Sequence, residues 1–459
     1  MSITQNKARP RTGVNWPRVV ALHEKERADF IARRPQSQRL SQRAAAHMLF
    51  GVPLHWMTDW STPFSLYVQQ AGGARFTDVD GHQYLDFCLG DTGAMFGHAP
   101  APVARALQRQ ASRGYTTMLP SEDAVWVAEE LARRFGLPRW QFALSASDAN
   151  RFVLRWVRAA TGRAKVLVFN GCYHGTVDDV FVDLVDGRPQ QRNSLLGQVL
   201  GLTANTVVLE FNDLAALESA LAAGDVACVL AEPVMTNIGM VLPQAGYWEA
   251  ARQIMQRYGT LLVIDETHTI SSGPGGYARA HGMRPDALVV GKPIGGGVPC
   301  AVYGFSAALA ARVEQAKRQA PSGHSGIGTT LTANMFAMAA MRACLAEVMT
   351  DGAYDHMFAM AEQLATGLRV SIEKRRLPWC VSQVGARTEF QFSPSAPLNG
   401  TAADAILDGE LERIMHLYLL NRGILITPFH NMMLVCPDSS AQDIARLLDV
   451  FDECLQQLV

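Results

Sequence analysis

No apolar run in the chain reaches the ~20 residues that a bilayer-spanning helix needs, so nothing in it reads as a membrane span. The first residues, MSITQNKARPRTG, lack the apolar core of a signal peptide and read as a flexible arm over residues 1–15. There is no block of Lys and Arg and the formal net charge is −1, which argues against nucleic acid or an anionic membrane as a partner. The eight cysteines are scattered with no CxxC pair. Cys88, Cys172, Cys228, Cys300 and Cys436 sit in apolar contexts and read as free core thiols, and a reduced, cytoplasmic setting is expected. Internal repeats and low-complexity segments are absent.

What is present is a globular chain of 459 residues, 48% hydrophobic and 18% charged, long enough for one large core and a smaller one. Its organising stretch runs from Leu261 to Gly297. The apolar run Leu261-Leu262-Val263-Ile264 reads as a buried strand of a parallel sheet, and it delivers Asp265 to its C-terminal end, where open α/β sheets place ligands. A second run, Ala287-Leu288-Val289-Val290, delivers Gly291-Lys292, 27 residues after Asp265. A structural ion pair is one explanation. The other is pyridoxal phosphate (PLP) chemistry: a costly buried lysine flanked by Gly291 and Gly295-Gly296-Gly297 serves as the Schiff-base amine, and the Asp partners the pyridine nitrogen.

The rest of the chain supports a strand-and-helix alternation from about 76 to 325. Residues 16–48 form a charged, amphipathic helical segment on a domain surface. The aromatic stretch from Gly51 to Trp60 is a loop, and residues 75–91 form a hairpin with a primed-type turn at Asp80-Gly81. Helices are expected over 101–113 and 122–135. The strand 140–144 runs through Ser145-Ala146-Ser147 into the helix RFVLRWVRAATG. That junction is either an anion site, with free N–H groups at a helix N-terminus, or an ordinary N-cap box. The strand 165–169 leads to Asn170-Gly171-Cys172-Tyr173-His174-Gly175, and strands at 206–209 and 227–230 precede Glu232-Pro233-Val234-Met235-Thr236-Asn237. The helix MFAMAAMRACLAEVM reads as packing, not a metal site, and no metal is expected. Beyond it, helices near 354–375, 404–421 and 440–457 alternate with strands near 379–384, 388–393, 424–426 and 432–435. The expected division is 1–75 (arm and part of a small domain), 76–325 (large domain) and 326–459 (small α+β domain).

Ile264-Asp265-Glu266 with Gly291-Lys292 and the following glycines resembles the class III (ω-type) aminotransferases, nearest the glutamate-1-semialdehyde aminomutase-like and β-amino-acid aminotransferase branch. The resemblance runs from about Gly72 to the C-terminus. It implies fold type I, a mostly parallel doubly wound sheet with a smaller α+β domain, and a homodimer with shared sites. It implies that Lys292 holds PLP as an aldimine, that Asp265 keeps the ring nitrogen protonated, and that Ser145, Ala146 and Ser147 hold the phosphate. Ala146 stands where the family usually has Gly, and Ser147 where it has Thr. The resemblance further places Tyr173 over the ring, Thr267 on its other face where Val or Ile is usual, Asn237 near the phenolic oxygen, and Thr330 of Gly328-Thr329-Thr330-Leu331-Thr332-Ala333-Asn334 at the neighbouring subunit's phosphate. His98, in Gly97-His98-Ala99-Pro100, receives no catalytic role.

The expected reaction is amino transfer between an amine or ω/β-amino acid and a keto acid or aldehyde. A PLP isomerase, aminomutase or racemase, shares these motifs and stays open, and a non-catalytic PLP-binding regulator is a remote third possibility. Trp56, Met57 and Trp60 are expected to give an apolar substrate wall. Two habitual carboxylate clamps of the family are absent, which leaves Arg387, either a carboxylate ligand or an ion-pair partner of Glu389.

Overall fold

The computed structural model describes residues 12–459. Residues 1–11, most of the expected arm, lie outside the described residues. Packing divides the chain into two units. One takes residues 100–354 and 397–404; the other takes the chain up to Ala99, with 355–396 and 405–459.

The first unit is built on a seven-stranded sheet: β1 (Arg139–Ala143), β2 (Lys165–Phe169), β3 (Thr206–Leu209), β4 (Val226–Ala231), β5 (Leu261–Asp265), β6 (Ala287–Val290) and β7 (Ala301–Phe305), in the order β1-β7-β6-β5-β4-β2-β3. From β6 to β3 every neighbouring pair is parallel. β7 alone runs antiparallel to both its neighbours. Every residue of β4, β5 and β6 is buried, which is why they read as unbroken apolar runs with no period-2 alternation. The helix Ala146–Thr161 (α1) starts at Ser145, whose hydroxyl accepts the Asp148 N–H, and stops at Gly162 in the left-handed region. Its apolar face, Phe152, Val153 and Val157, packs with Val166, Val168, Val263 and Val289 of the sheet. Each such side chain contributes about 1.5–3 kcal/mol of burial, which fixes α1 and the strand ends beside it.

The second unit has a four-stranded sheet (68–72, 75–78, 83–86 and 424–425, in that order) and a three-stranded one (380–384, 387–391 and 432–434). The N-terminal helical segment is two helices, Trp16–Arg33 and Pro35–Ala45. They do more than cover a surface. Buried Glu26 receives the Arg422 guanidinium and the Asn421 amide, and buried Arg34 donates to Tyr84 and Asn421.

Two expectations about this unit change. The hairpin turn is not of the primed type: among its central residues only Gly81 has positive φ. The Asp78 carboxylate accepts the N–H groups of Asp80 and His82, and this holds a right-handed turn that a left-handed glycine closes. The division also falls elsewhere than at 75 and 325. The 75–86 hairpin pairs with strands at 68–72 and 424–425, so it belongs to the smaller unit. The helix Met335–Ala343 packs on Ala101–Gln110 and Glu122–Phe135, so it belongs to the larger. All eight cysteines are free thiols, seven of them buried. Among the described residues no helix is long and apolar enough to cross a membrane, and no cluster of His, Cys, Asp and Glu could hold a metal ion.

Candidate active site

Three neighbouring strands, β4, β5 and β6, release their chains at the same sheet edge, and each release carries polar groups. At the end of β5, Asp265 is buried. Its Oδ2 accepts from the Asn150 amide at 2.8 Å and faces His174 Nδ1 at 3.0 Å; its Oδ1 accepts the Thr267 N–H at 3.0 Å. Burial alone would push this carboxyl up. The bond and charge of His174, with the bonds from Thr267 and Asn150, outweigh it and hold the group down at about 2. Burial likewise opposes charge on His174, yet the bond to Asp265 raises that imidazole to about 10. The pair is therefore carboxylate and imidazolium at neutral pH. Three bonds leave the carboxylate with acceptor capacity to spare.

At the end of β6, Gly291 and Lys292 turn sharply. Lys292 has φ +46°, the left-handed region, at a cost of about 1–2 kcal/mol for a residue with a Cβ. Such strain persists where surroundings over-determine it. Part of that constraint is visible: the Gly291 N–H donates to Thr267 Oγ1 at 3.2 Å, tying the β6 end to the β5 end. Another part is steric. A Cβ built on Gly291 would lie 2.8 Å from the Ala146 Cβ, so Gly291 must be glycine for the chain before Lys292 to pass the start of α1. Lys292 is half-buried, less enclosed than the sequence suggests, and its Nζ is in hydrogen-bond contact with His268 Nε2.

The start of α1 lies beside this turn. The Ser145 hydroxyl is spent on the cap and on Asp148. The Ser147 hydroxyl accepts the Thr176 N–H at 3.0 Å and keeps its own O–H to donate. Gly175 lies so close to Ser147 that no side chain fits there. Tyr173, on the same loop, is exposed at 41%. Asn237 donates to the Gly171 carbonyl at 3.0 Å, tying the loop after β4 to the loop after β2. Thus Asp265, Thr267, Lys292, Ala146, Ser147, Tyr173 and Asn237 gather at one edge of the sheet. Thr330 is exposed on the segment ahead of the helix Met335–Ala343.

Trp56, Met57, Trp60 and Arg387 belong to the other unit. Trp56 and Trp60 pack with ring centroids 5.8 Å apart in a 3₁₀ segment and its exit. Arg387 is 1% exposed, and its guanidinium meets the Thr92 hydroxyl at 2.6 Å and the Met432 sulfur at 2.7 Å. His98 pairs with Asp86 at 2.8 Å, a structural contact.

The sequence reading missed His174, Asn150, His268, Thr236 and Glu232. His174 follows Tyr173 directly, and Asn150 lies one turn after Ser147 on α1, so both were within motifs already singled out. Thr236 and Glu232 meet within the segment after β4, and His268 reaches them only because β4 and β5 are adjacent in the sheet.

The family model for class-III aminotransferases matches residues 56–455. The chain belongs to that family. Its members are PLP enzymes of fold type I, and PLP is the cofactor. The chain is 32% identical to glutamate-1-semialdehyde 2,1-aminomutase of Bordetella avium over 368 residues, 79% of this chain and 84% of that one. A crystal structure of a glutamate-1-semialdehyde-aminomutase from Pseudomonas aeruginosa PAO1 is 50% identical, with a TM-score of 0.95 over 97% of this chain and all of that one; a variant of it has been solved in complex with PMP. An omega-transaminase from Sphaerobacter thermophilus is 26% identical, with a TM-score of 0.84 over 93% of this chain and 99% of that one.

The residues present fit PLP. Asp265 is ionised with acceptor capacity left for a ring N–H. Lys292 offers a primary amine just past the end of the neighbouring strand. The N–H groups at the start of a 16-residue helix, with the Ser147 O–H, suit a phosphate.

Proposed function

We propose that this class-III enzyme is an aminomutase, an isomerase that moves an amino group between adjacent carbons of one small molecule, with glutamate-1-semialdehyde as substrate. The observation that carries it is the 50% identity, spanning 97% of the chain, to an enzyme of that name. The curated relatives at 31–32% identity carry the same name. The isomerase alternative is thus favoured over amino transfer between two molecules, the main expectation from sequence.

Bound PLP supplies an aldehyde that combines with amines and a ring that draws electron density from the reacting carbon. The chain's residues do the rest. Lys292 Nζ would hold the cofactor and, as a free amine, would take a proton from the substrate carbon and give it back later in the cycle, acting as base and then as acid. Asp265, kept ionised by His174, Asn150 and the Thr267 N–H, holds a proton on the ring nitrogen. The α1 N-terminus and Ser147 bind the phosphate. A homodimer, with Thr330 completing the partner's site, and a cytoplasmic location are part of the same proposal.

Isomerisation needs neither an external amino donor nor an acceptor, and this decides the test. The PLP-loaded protein with glutamate-1-semialdehyde alone should yield the aminoketone with the amino group moved from carbon 2 to carbon 1, at a rate unchanged by added keto acid. Turnover that appears only with a keto acid would establish the transaminase reading instead, which the likeness to the omega-transaminase supports. In either case Lys292→Ala should give no borohydride-stable cofactor adduct by mass; an adduct in that variant would remove Lys292 from its role.

A further inference from the structure

The Lys292 amine does not end in solvent-facing side chains but at the head of a hydrogen-bonded row along the sheet edge. Lys292 follows β6, His268 follows β5, and Thr236 and Glu232 follow β4. Lys292 Nζ contacts His268 Nε2; His268 Nδ1 lies 2.6 Å from Thr236 Oγ1; and the Thr236 hydroxyl donates to Glu232 Oε2. The direction of the row follows from its chemistry. A threonine hydroxyl has one hydrogen, and with Glu232 ionised it goes to the carboxylate, so Thr236 accepts from His268 Nδ1–H. His268 is then the Nδ1-protonated tautomer, and its Nε2 lone pair faces the lysine amine. Every donor points toward Glu232.

We propose that His268, Thr236 and Glu232 form a proton relay that sets the charge of the Lys292 amine, with Glu232 as its buried terminus. The transfer is balanced. Lys292–NH₃⁺ gives a proton to His268 Nε2, His268 Nδ1–H passes to Thr236 Oγ1, and Thr236 O–H passes to Glu232 Oε2. Ammonium and carboxylate become amine and carboxylic acid, with no electron moved. In the reversed row Glu232 donates to Thr236, Thr236 to His268 Nδ1, and Nε2–H faces the lysine lone pair. A lysine that must act as base and then acid gains a store for its proton that does not require bulk water.

Glu232 suits the terminus. It is buried, and its Oε1 has no hydrogen-bond partner among the described residues, as fits a group that spends time protonated. Burial raises it to about 7, against the opposing pull of the His174 charge and the Thr236 bond and with a small push from Asp265. The groups facing it are Thr236, His268 at 4.0 Å, the His174 imidazolium and the Asp265 carboxylate. The inference rests on Lys292 being the reactive amine and is indifferent to whether the enzyme is an isomerase or a transaminase.

The test reads the lysine itself. Enzyme loaded with pyridoxamine phosphate, which leaves Lys292 uncombined, is labelled with trace acetic anhydride from pH 5 to 10. Lys292 acetylation is measured by peptide mass spectrometry against the exposed Lys25. Removing the terminal negative charge disfavours the ammonium form, so Glu232→Gln should lower the Lys292 titration midpoint by a pH unit or more, a tenfold rise in amine fraction below the midpoint. Thr236→Val, isosteric but unable to hydrogen-bond to His268 or Glu232, uncouples the carboxylate from the row and should shift the midpoint in the same direction, while Thr236→Ser should restore the wild-type curve. In His268→Ala, adding Glu232→Gln should produce a much smaller further shift, since only through-space charge then links the two. Equal midpoints in wild type and Glu232→Gln, or fully additive shifts in the double variant, would overturn the relay. If the glutamate variant fails to fold, the threonine pair decides the matter alone.

Discussion

Thr267 offers a substitution whose cost can be worked from two hydrogen bonds. Its N–H donates to Asp265 Oδ1, and its hydroxyl accepts the Gly291 N–H at 3.2 Å. Thr267→Val keeps the shape, the β-branch and the first bond, and removes only the acceptor. Gly291 is buried against Ala146, so its N–H has no water to turn to. An orphaned buried donor costs about 1–3 kcal/mol, and the relief of no longer burying a hydroxyl recovers part of that. The expected net loss is about 1–2 kcal/mol, confined to the β6 end. In a chain of this size a global unfolding curve is a poor gauge of so local a change, whereas amide exchange reads it residue by residue. Gly291 and Lys292 amides should exchange roughly 5–30-fold faster in the variant, while the amides of β4 change little. Because Lys292 holds φ +46° only under constraint, the rate of cofactor capture should drop as well. Unchanged protection at Gly291 would refute the reasoning, since it would mean that the hydroxyl is not what satisfies that donor.

Two further outcomes can be measured, one from the same network and one from Thr330. The folded value of His174 is raised from 6.5 to about 10, so its contribution is complete below about 6.5 and is lost as pH rises through about 10. Asp265, lowered from 3.8 to about 2, contributes above about 3.8 and loses that only in strong acid. Stability of the wild type relative to His174→Gln should therefore shrink steadily between pH 6.5 and 10, as denaturant midpoints will show; a constant difference across that range contradicts an imidazolium at 174. Thr330→Ala should weaken cofactor retention by about 1.5–3 kcal/mol if its hydroxyl meets a phosphate, measured as the dialysis loss of PLP, and sedimentation that finds a fully active monomer removes the shared-site proposal.

Much of the sheet was legible because its central strands are buried on both faces, and a run such as Leu261-Leu262-Val263-Ile264 has few other uses. Asp265 and Lys292 stood out as polar groups ending such runs. Other features depend on contacts between distant positions. The order β6-β5-β4 puts His268 between Lys292 and Thr236, and no local pattern announces a strand order. The 75–86 hairpin belongs with a strand at 424–425 for the same reason. Its turn type was misread because a side chain, Asp78, overrides what Asp80-Gly81 suggests. Ala146 stands where the family usually has Gly, and its methyl occupies the space that Gly291 must leave empty, a pairing no local pattern shows.

Neighbouring strands lie ~4.8 Å apart, a spacing set by backbone hydrogen bonds and indifferent to side-chain identity. Three consecutive strands each lend a group to the row from Lys292 to Glu232, so the row takes its pitch from the sheet beneath it. For enzyme redesign this means that positions 232, 268 and 292, each within three residues of a strand's end, can be exchanged as a set with their spacing kept by the ladder, whereas Trp56 and Trp60, carried on a 3₁₀ segment and its exit, have no such ruler and must be re-aimed one at a time.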